Sequence, residues 1–380
     1  QIDHATIARF RQRNEAAVEK LFLEVLRLCH EAGLVKVGVV GLDGTKLAGN
    51  AALAANRTAA HLEAEIKKML EEANRVDAEE DARYGPDKRG DELPEELRHH
   101  GSRLKRLQEC QQRLAAEAAA KRRAQEEKLA ARAVKEVESG QPARGRKPKT
   151  PDETVNAEAK ANVTDPESRI MKNSKGWVQG YNGQIVATEE QIIIAAELTQ
   201  EENDQHQLQP MLAAARENLQ AAGCTETMGV LVADAGYSND DNLPGPSVTE
   251  TEAKSAAPAT ESTEPTAAVI SAPGPELIIA TQKDWKQRKA LAAQEAPRGR
   301  IPQGLSKREL MDRKLQTKRG KALYKKRAII PEPLFGQIKS APGIAALLRR
   351  GMAACDSEWK LICATSNLLK LFRSGRVAWG

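Results

Sequence analysis

At 380 residues, 40% of them hydrophobic, the chain can bury the core of one large domain or of two ordinary ones. Only 3% are aromatic and 29% are charged, which favours long solvated helices over an all-β protein, and no apolar run reaches the roughly 18 residues that would indicate a membrane-spanning helix. The net charge of +5 conceals an asymmetry: residues 277–380 hold 23 Lys and Arg against 7 Asp and Glu, and the remainder holds 35 against 46.

A basic C-terminal third beside an acidic helical part points to a polyanionic partner, with nucleic acid the leading candidate; the plainer alternative is a solvated Lys/Arg surface. Cys29, Cys110, Cys224, Cys355 and Cys363 are scattered without CxxC spacing. That argues against a zinc site or a disulfide framework and fits reduced thiols in a cytoplasm. Gln1 is not an initiator Met and no signal segment follows it, so a fragment is the expectation.

In chain order, residues 5–32 read as a helix with Val18, Leu21, Phe22, Val25 and Leu26 on one face and Gly33 as its stop. Cys29-His30 belongs to its packing. The stretch "LVKVGVVGLDGTKL" is a β-branched strand running into Asp43 and Gly44. Residues 56–138 change character. Leu62, Ile66, Met69, Ala73 and Val76, then Leu97, Leu104, Leu107, Leu114 and Ala118, step by helical spacings on either side of "YGPDKRGDELP". The pattern predicts a helical hairpin of coiled-coil character, with arms of about 40 and 65 Å at 1.5 Å per residue. It reads as a surface arm, with His99-His100 solvated. A basic, Pro-rich linker follows at 139–153; its "RGRKP" has the composition of a minor-groove arm but is short.

"WVQGYNGQIVATEEQIIIAAELT" (177–199) reads as two strands, "DQHQLQPMLAAARENLQAAG" as a helix ending at Gly223, and residues 228–234 as a strand that stops on Asp234. Residues 244–275, rich in Pro, Ser, Thr, Glu and Ala, form a disordered or surface insertion. "ELIIATQKDW" is a further strand. Helices are expected over roughly 286–295, 306–325, 333–340 and 344–373, with Pro342-Gly343 as a break. Without its insertions the chain reads strand, strand, strand, helix, strand, strand, helices, an order that suits a mixed sheet flanked by helices.

Two strands therefore end on an aspartate, Asp43 and Asp234, and both side chains could stand at one edge of a central sheet. A third acid, Glu332 in "LYKKRAIIPEPLFGQIK", precedes Pro333, a good first helical residue, and sits among Tyr324, Arg327 and Lys339. Singly, each acid has a structural reading: a turn residue, a helix cap or a salt-bridge partner. No P-loop appears, so nucleoside triphosphate hydrolysis is not supported.

Together, "GLDGTKL", "VADAGYSNDDNL" and "YKKRAIIPEPLFGQIK" resemble the three acidic motifs of bacterial insertion-sequence DDE transposases. "DHATIARFRQR", "DPESRIMK", "VQGYNGQIV", "IIATQKDWKQRK" and "EWKLICATSNLLKL" are similar to that family's other phrases, so the resemblance covers nearly the whole chain. The branch it resembles carries a long helical insertion after the first Asp.

The resemblance implies an α/β fold: a ribonuclease-H-like mixed sheet flanked by helices, with an inserted coiled-coil-like helical hairpin and a disordered low-complexity insertion. Residues 1–34 would be the helical end of an N-terminal DNA-binding region. Residues 35–55 and 154–380 would form the catalytic domain, 56–138 the hairpin, 139–153 the linker and 244–275 the low-complexity insertion. Asp43, Asp234 and Glu332 would be catalytic and hold two Mg²⁺ ions (Mn²⁺ as a substitute) for in-line cleavage and strand transfer at the ends of the element.

Tyr324, Arg327 and Lys339 resemble the family's Tyr-Arg-Glu-Lys signature. Four residues separate Arg327 from Glu332 where three is commoner, and six separate Glu332 from Lys339. With Lys286, Arg288 and Lys289 they would contact the DNA backbone. Trp285 would stack on a flipped base or, more plainly, pack under a helix. His206, after the family-like "ND", would stand at the site's edge. Implied partners are the element ends and target DNA, in a homodimer or larger synaptic complex, in a bacterial cytoplasm and with no membrane. The alternative is a non-enzymatic or degenerate DNA-binding transposase remnant.

Overall fold

The structure, a computed structural model, describes residues 13–84, 95–142, 156–173, 176–244, 274–299, 304–340 and 346–377, with a few isolated positions besides. Most of the "RGRKP" stretch, most of 244–275, Pro342-Gly343 and most of "YGPDKRGDELP" lie outside the described residues, as do the side chains of His99 and His100. The chain divides into two units: residues 1–47, 181–347 and 352–380, and residues 48–180 with 348–351.

The first unit is built on a mixed sheet. β1 (Val39–Ala48) and β7 (Val230–Ala233) are parallel, with Val39 opposite Val230 and Leu42 opposite Ala233, and β7 is parallel to β8 (Glu276–Ile279). β5 (Gly176–Thr188) lies on the other side of β1, and its second half pairs antiparallel with β6 (Ile193–Thr199). The four residues of β7, Val-Leu-Val-Ala, are all buried, as expected of a parallel strand covered on both faces.

Helices flank this sheet. α1 (Glu15–Glu31) packs on α9 (Met352–Arg373), and α9 packs on β6. α4 (Leu208–Ala221) buries Leu208, Met211, Leu212, Ala215 and Leu219. Phe22, Leu26, Cys29, Leu42, Ile185, Ile193, Leu231 and Trp359 share one core, in which each large side chain contributes about 1.5–3 kcal/mol. All five cysteines are free and buried. No helix of the described residues is long and apolar enough to cross a membrane.

Several boundaries differ from the sequence reading. Leu21 is 43% exposed rather than on the buried face of α1, where Phe22, Val25, Leu26 and Cys29 point inward. The single helix expected over 306–325 is two, α6 (Lys307–Gln316) and α7 (Lys318–Lys325). Thr317 ends the first in extended backbone, and its hydroxyl accepts from the Gly320 N–H to cap the second. α9 begins at Met352 and not near 344, because Gly351 takes a left-handed φ of 84° that no helix continues through. α8 (Pro331–Ser340) starts two residues early, so Pro331 rather than Pro333 leads it.

In the second unit, β2 (Asn56–Thr58) pairs antiparallel with β3 (Lys160–Asn162), and β4 (Arg169–Asn173) pairs with the first residues of β5. α2 (Ala59–Tyr84) and α3 (Glu95–Ser139) pack through Leu62, Ile66, Leu107, Cys110 and Leu114, with Ala161 of β3 closing this small core. Arg113 of α3 donates to the carbonyls of Pro166, Ser168 and Lys160 and so ties the helix to the loop after β3.

Candidate active site

Asp43 and Asp234 are placed by one register. β1 and β7 run in parallel to Leu42 and Ala233, so the next residue on each strand is an aspartate at the carboxyl end of the paired segment. β7 ends there because an Asp234 oxygen accepts the Gly236 N–H at 2.7 Å and turns the chain into the short 3₁₀ helix Ala235–Tyr237. β1 does not end at Asp43, as the sequence reading had it. It continues to Ala48, with burial changing from complete over Val39–Leu42 to partial over Asp43–Lys46. Neighbouring β5 supports the extension, and no local sequence signal reports that long-range partner.

Glu332 approaches from the opposite element. A methyl added at Gly41 would lie 2.8 Å from Pro331 Cδ and 2.9 Å from Ile330 Cγ2, so the start of α8 rests directly on β1 two residues before Asp43. Arg327 links the two elements. One guanidinium nitrogen lies 3.6 Å from an Asp43 oxygen and another donates to Glu332 at 2.5 Å. Lys339, at the far end of α8, donates to the Thr45 hydroxyl at 2.5 Å. Asp43 and Asp234 therefore adjoin, while Glu332, 46% exposed, is held by Arg327. Among the described residues no three His, Cys, Asp or Glu side chains form a group able to hold one metal ion.

The electrostatics follow from this placement. Burial, and then the negative charge of Asp234, push the Asp43 carboxyl up to about 7, against the pull of Arg327 and the Gly44 N–H. Burial opposes charge on Arg327, but Tyr324, Asp43, Glu332 and Asp234 together hold its proton more tightly than usual. Burial also raises the Tyr324 hydroxyl, which hydrogen-bonds Arg327.

A fourth carboxylate, Asp204, was not singled out in the sequence, although "ND" and "VQGYNGQIV" contain it and its partners. It accepts from Asn182 and Gln184, each at 2.7 Å, and from Lys46 at 3.4 Å. Gln184 in turn accepts from the buried Tyr237 hydroxyl. Burial first, then Asp204, Asp43 and Asp234, raise Tyr237 well above its ordinary range, so it stays a neutral donor. This network fastens β1, β5 and the turn after β7 together around the aspartate pair. His206, two residues on, is exposed.

The remaining predicted residues cluster at α5 (Trp285–Ala293), whose N-terminus is capped by Asp284 through the Lys286 N–H. Trp285 is 60% exposed and is not packed under a helix. Lys286 and Lys289 are exposed, and Arg288 is half-buried, donating to the carbonyls of Gln282 and Lys283.

Residues 294–372 match the family model described as the transposase DDE domain. The matched span holds Tyr324, Arg327, Glu332 and Lys339 and is less than half of the chain. No curated protein and no solved structure matches. The match supports a DDE transposase of insertion-sequence type.

Proposed function

We propose that the chain cleaves and rejoins DNA phosphodiester bonds at the ends of an insertion sequence, with Asp43, Asp234 and Glu332 as the carboxylates of a two-Mg²⁺ site. The observation that carries this reading is the placement of Asp43 and Asp234 side by side, each directly after the parallel-paired segment of β1 and β7. Asp43 and Asp234 offer the carboxylate oxygens a hard divalent ion takes, and the second negative charge of the pair is resisted until a cation relieves it; Glu332, held by Arg327 and not grouped with them here, would have to turn inward to complete the set. When bound, such ions activate an attacking water or 3′-hydroxyl and stabilise the departing oxygen. Taken in chain order, the five strands β1, β5, β6, β7 and β8 stand in the sheet as third, second, first, fourth, fifth. That order supports a ribonuclease-H-like fold.

The other residues position the DNA. Arg327, already charged between two acids, has donors for a scissile phosphate, and its planar fork suits two phosphate oxygens at once. Lys339 and the capped N-terminus of α5 with Lys286, Arg288 and Lys289 hold backbone phosphates, and exposed Trp285 is available to stack on an unpaired base. Asp204 positions the aspartate pair through Lys46 and Gln184. The α2–α3 helices would serve as an inserted hairpin for assembly of two chains on two DNA ends.

The test uses a supercoiled plasmid carrying the chain's own coding region with its flanking DNA. With Mg²⁺ or Mn²⁺ the wild-type chain is expected to cut at the element ends. Asp43→Asn, Asp234→Asn and Glu332→Gln are each expected to lose at least about a hundredfold in cleavage while still binding DNA. Undiminished cleavage by Asp43→Asn would overturn the reading.

A further inference from the structure

The second unit contains a cavity of about 210 Å³, room for about seven waters at ~30 Å³ each, whose lining includes Arg57, Glu65, Arg103, Arg106, Val163 and Thr164. Its charges are unequal. Glu65, the one acid, is consumed locally: Arg103 donates to one of its oxygens at 2.5 and 3.0 Å, and His61 lies 3.3 Å from the other. Arg57 is oriented by two backbone carbonyls, donating through one nitrogen to Ala54 at 2.7 Å and Asn56 at 3.0 Å. Arg106 has no hydrogen-bond or ion-pair partner among the described residues, and its Nε is buried without an acceptor.

Two guanidinium groups thus face one cavity with no counter-charge left to them. Arg57 and Arg106 line the cavity and neither has a carboxylate partner among the described residues, so the arrangement favours an anion supplied from outside. Planar forks presenting paired N–H groups match the oxygens of a phosphate group.

We infer that Arg57 and Arg106 form a binding site for a backbone phosphate of DNA, on the helical unit and separate from the carboxylates of the first unit. That the phosphate belongs to DNA rests on the transposase reading. That the cavity takes a phosphate group does not.

The experiment measures binding of the full chain to a fluorescein-labelled duplex of random sequence, over a range of salt concentrations and in EDTA. Omitting metal keeps a failure of the cleavage chemistry from affecting the result. Each phosphate contact contributes about 0.9 to the slope of log K against log salt. Arg106→Gln and Arg57→Gln are each expected to lower that slope by about 1, and the double variant by about 2. Lys67→Gln, an exposed charge on α2 outside the cavity, is expected to leave it nearly unchanged. If Arg106→Gln fails to fold, Arg57→Gln, on a different element, carries the same reading. Slopes unchanged in a natively folded Arg57→Gln chain would overturn the proposal. So would binding of inorganic phosphate that is lost in the variants while the DNA slope stays at the wild-type value, since the site would then take a free anion. Normal slopes in these variants beside abolished cleavage in Asp43→Asn would remove this inference alone.

Discussion

Replacing Asp43 by Asn is predicted to stabilise the metal-free protein at neutral pH while abolishing its chemistry. The Asp43 carboxyl titrates at about 7 in the fold against 3.8 as a model group, because burial and the neighbouring Asp234 resist its ionisation. Below about pH 4 it is protonated in both states and the fold pays nothing. As pH rises from 4 to 7 the unfolded chain releases the proton while the folded chain retains it, so stability is lost across that window and remains lost above it. A shift of about 3 units corresponds to about 4 kcal/mol at most. Because the side chain is 16% exposed and the effective interior dielectric is nearer 20 than 4, about 1–3 kcal/mol is the expected effect.

Asparagine keeps the acceptor for the Gly44 N–H at 2.9 Å and carries no charge. Urea denaturation in EDTA, followed by tryptophan fluorescence with buried Trp359 as reporter, should give equal midpoints for the two proteins near pH 4. The variant should be the more stable by about 1–3 kcal/mol at pH 8.5. Added Mg²⁺ should raise the wild-type midpoint and leave that of the variant nearly still. A variant less stable than wild type at pH 8.5, or a gap that does not change with pH, would refute the electrostatic account.

Asn367 is fully buried on α9; it accepts the Ile193 N–H at 2.8 Å and donates to the Ile193 carbonyl at 2.7 Å. Asn367→Leu should therefore cost about 2–4 kcal/mol by stranding both groups at the start of β6, and a loss below about 0.5 kcal/mol in urea would contradict this. Gly41→Ala places a methyl against Pro331 and Ile330, with an expected cost of about 1–3 kcal/mol from overpacking. Because the strain falls between the carriers of Asp43 and Glu332, plasmid cleavage should drop more than DNA binding; equal losses in the two assays would count against it. Glu276 is held down to about 2 by its hydrogen bonds to Arg319 and Lys314, so its contribution is present above about pH 4.5 and disappears as pH falls toward 2. Glu276→Gln should cost about 1 kcal/mol at pH 7 and nothing near pH 2, and a cost independent of pH would exclude the ion pairs as its source.

What the sequence discloses about this fold is mostly what neighbours along the chain decide. The continuous apolar run 230–233, the faces of α1 and α4, and the stop at Gly223 are set by residues within one or two turns, and their patterns are visible in one dimension. The persistence of β1 through Asp43 depends on β5, more than 130 positions away, and Leu21, like Leu28, is exposed because it lies off the face on which Phe22, Val25, Leu26 and Cys29 are buried. Asp204 was overlooked for the same reason: it becomes part of a site only when Lys46, Asn182 and Gln184 arrive from two other strands. Asp43 and Asp234 could be marked as a pair because each follows an apolar strand. That Arg327 would reach Asp43 as well as its near neighbour Glu332 depends on how the start of α8 lies on Gly41, and nothing in the spacing of the motif conveys it.

The long segment of the second unit, residues 48–180, begins and ends at one point. Gly49 donates to the carbonyl of Gln179 at 2.8 Å, so more than 120 residues leave and return across a single hydrogen bond. A segment with adjoining ends behaves as a cassette. It can be gained, lost or exchanged in evolution with only a short bridge to rebuild, since loop-closure entropy grows slowly with the length enclosed. For protein engineering the same geometry marks Ala48 and Gly180 as the joints at which the helices could be replaced by a tight turn or by a foreign domain with closely spaced termini.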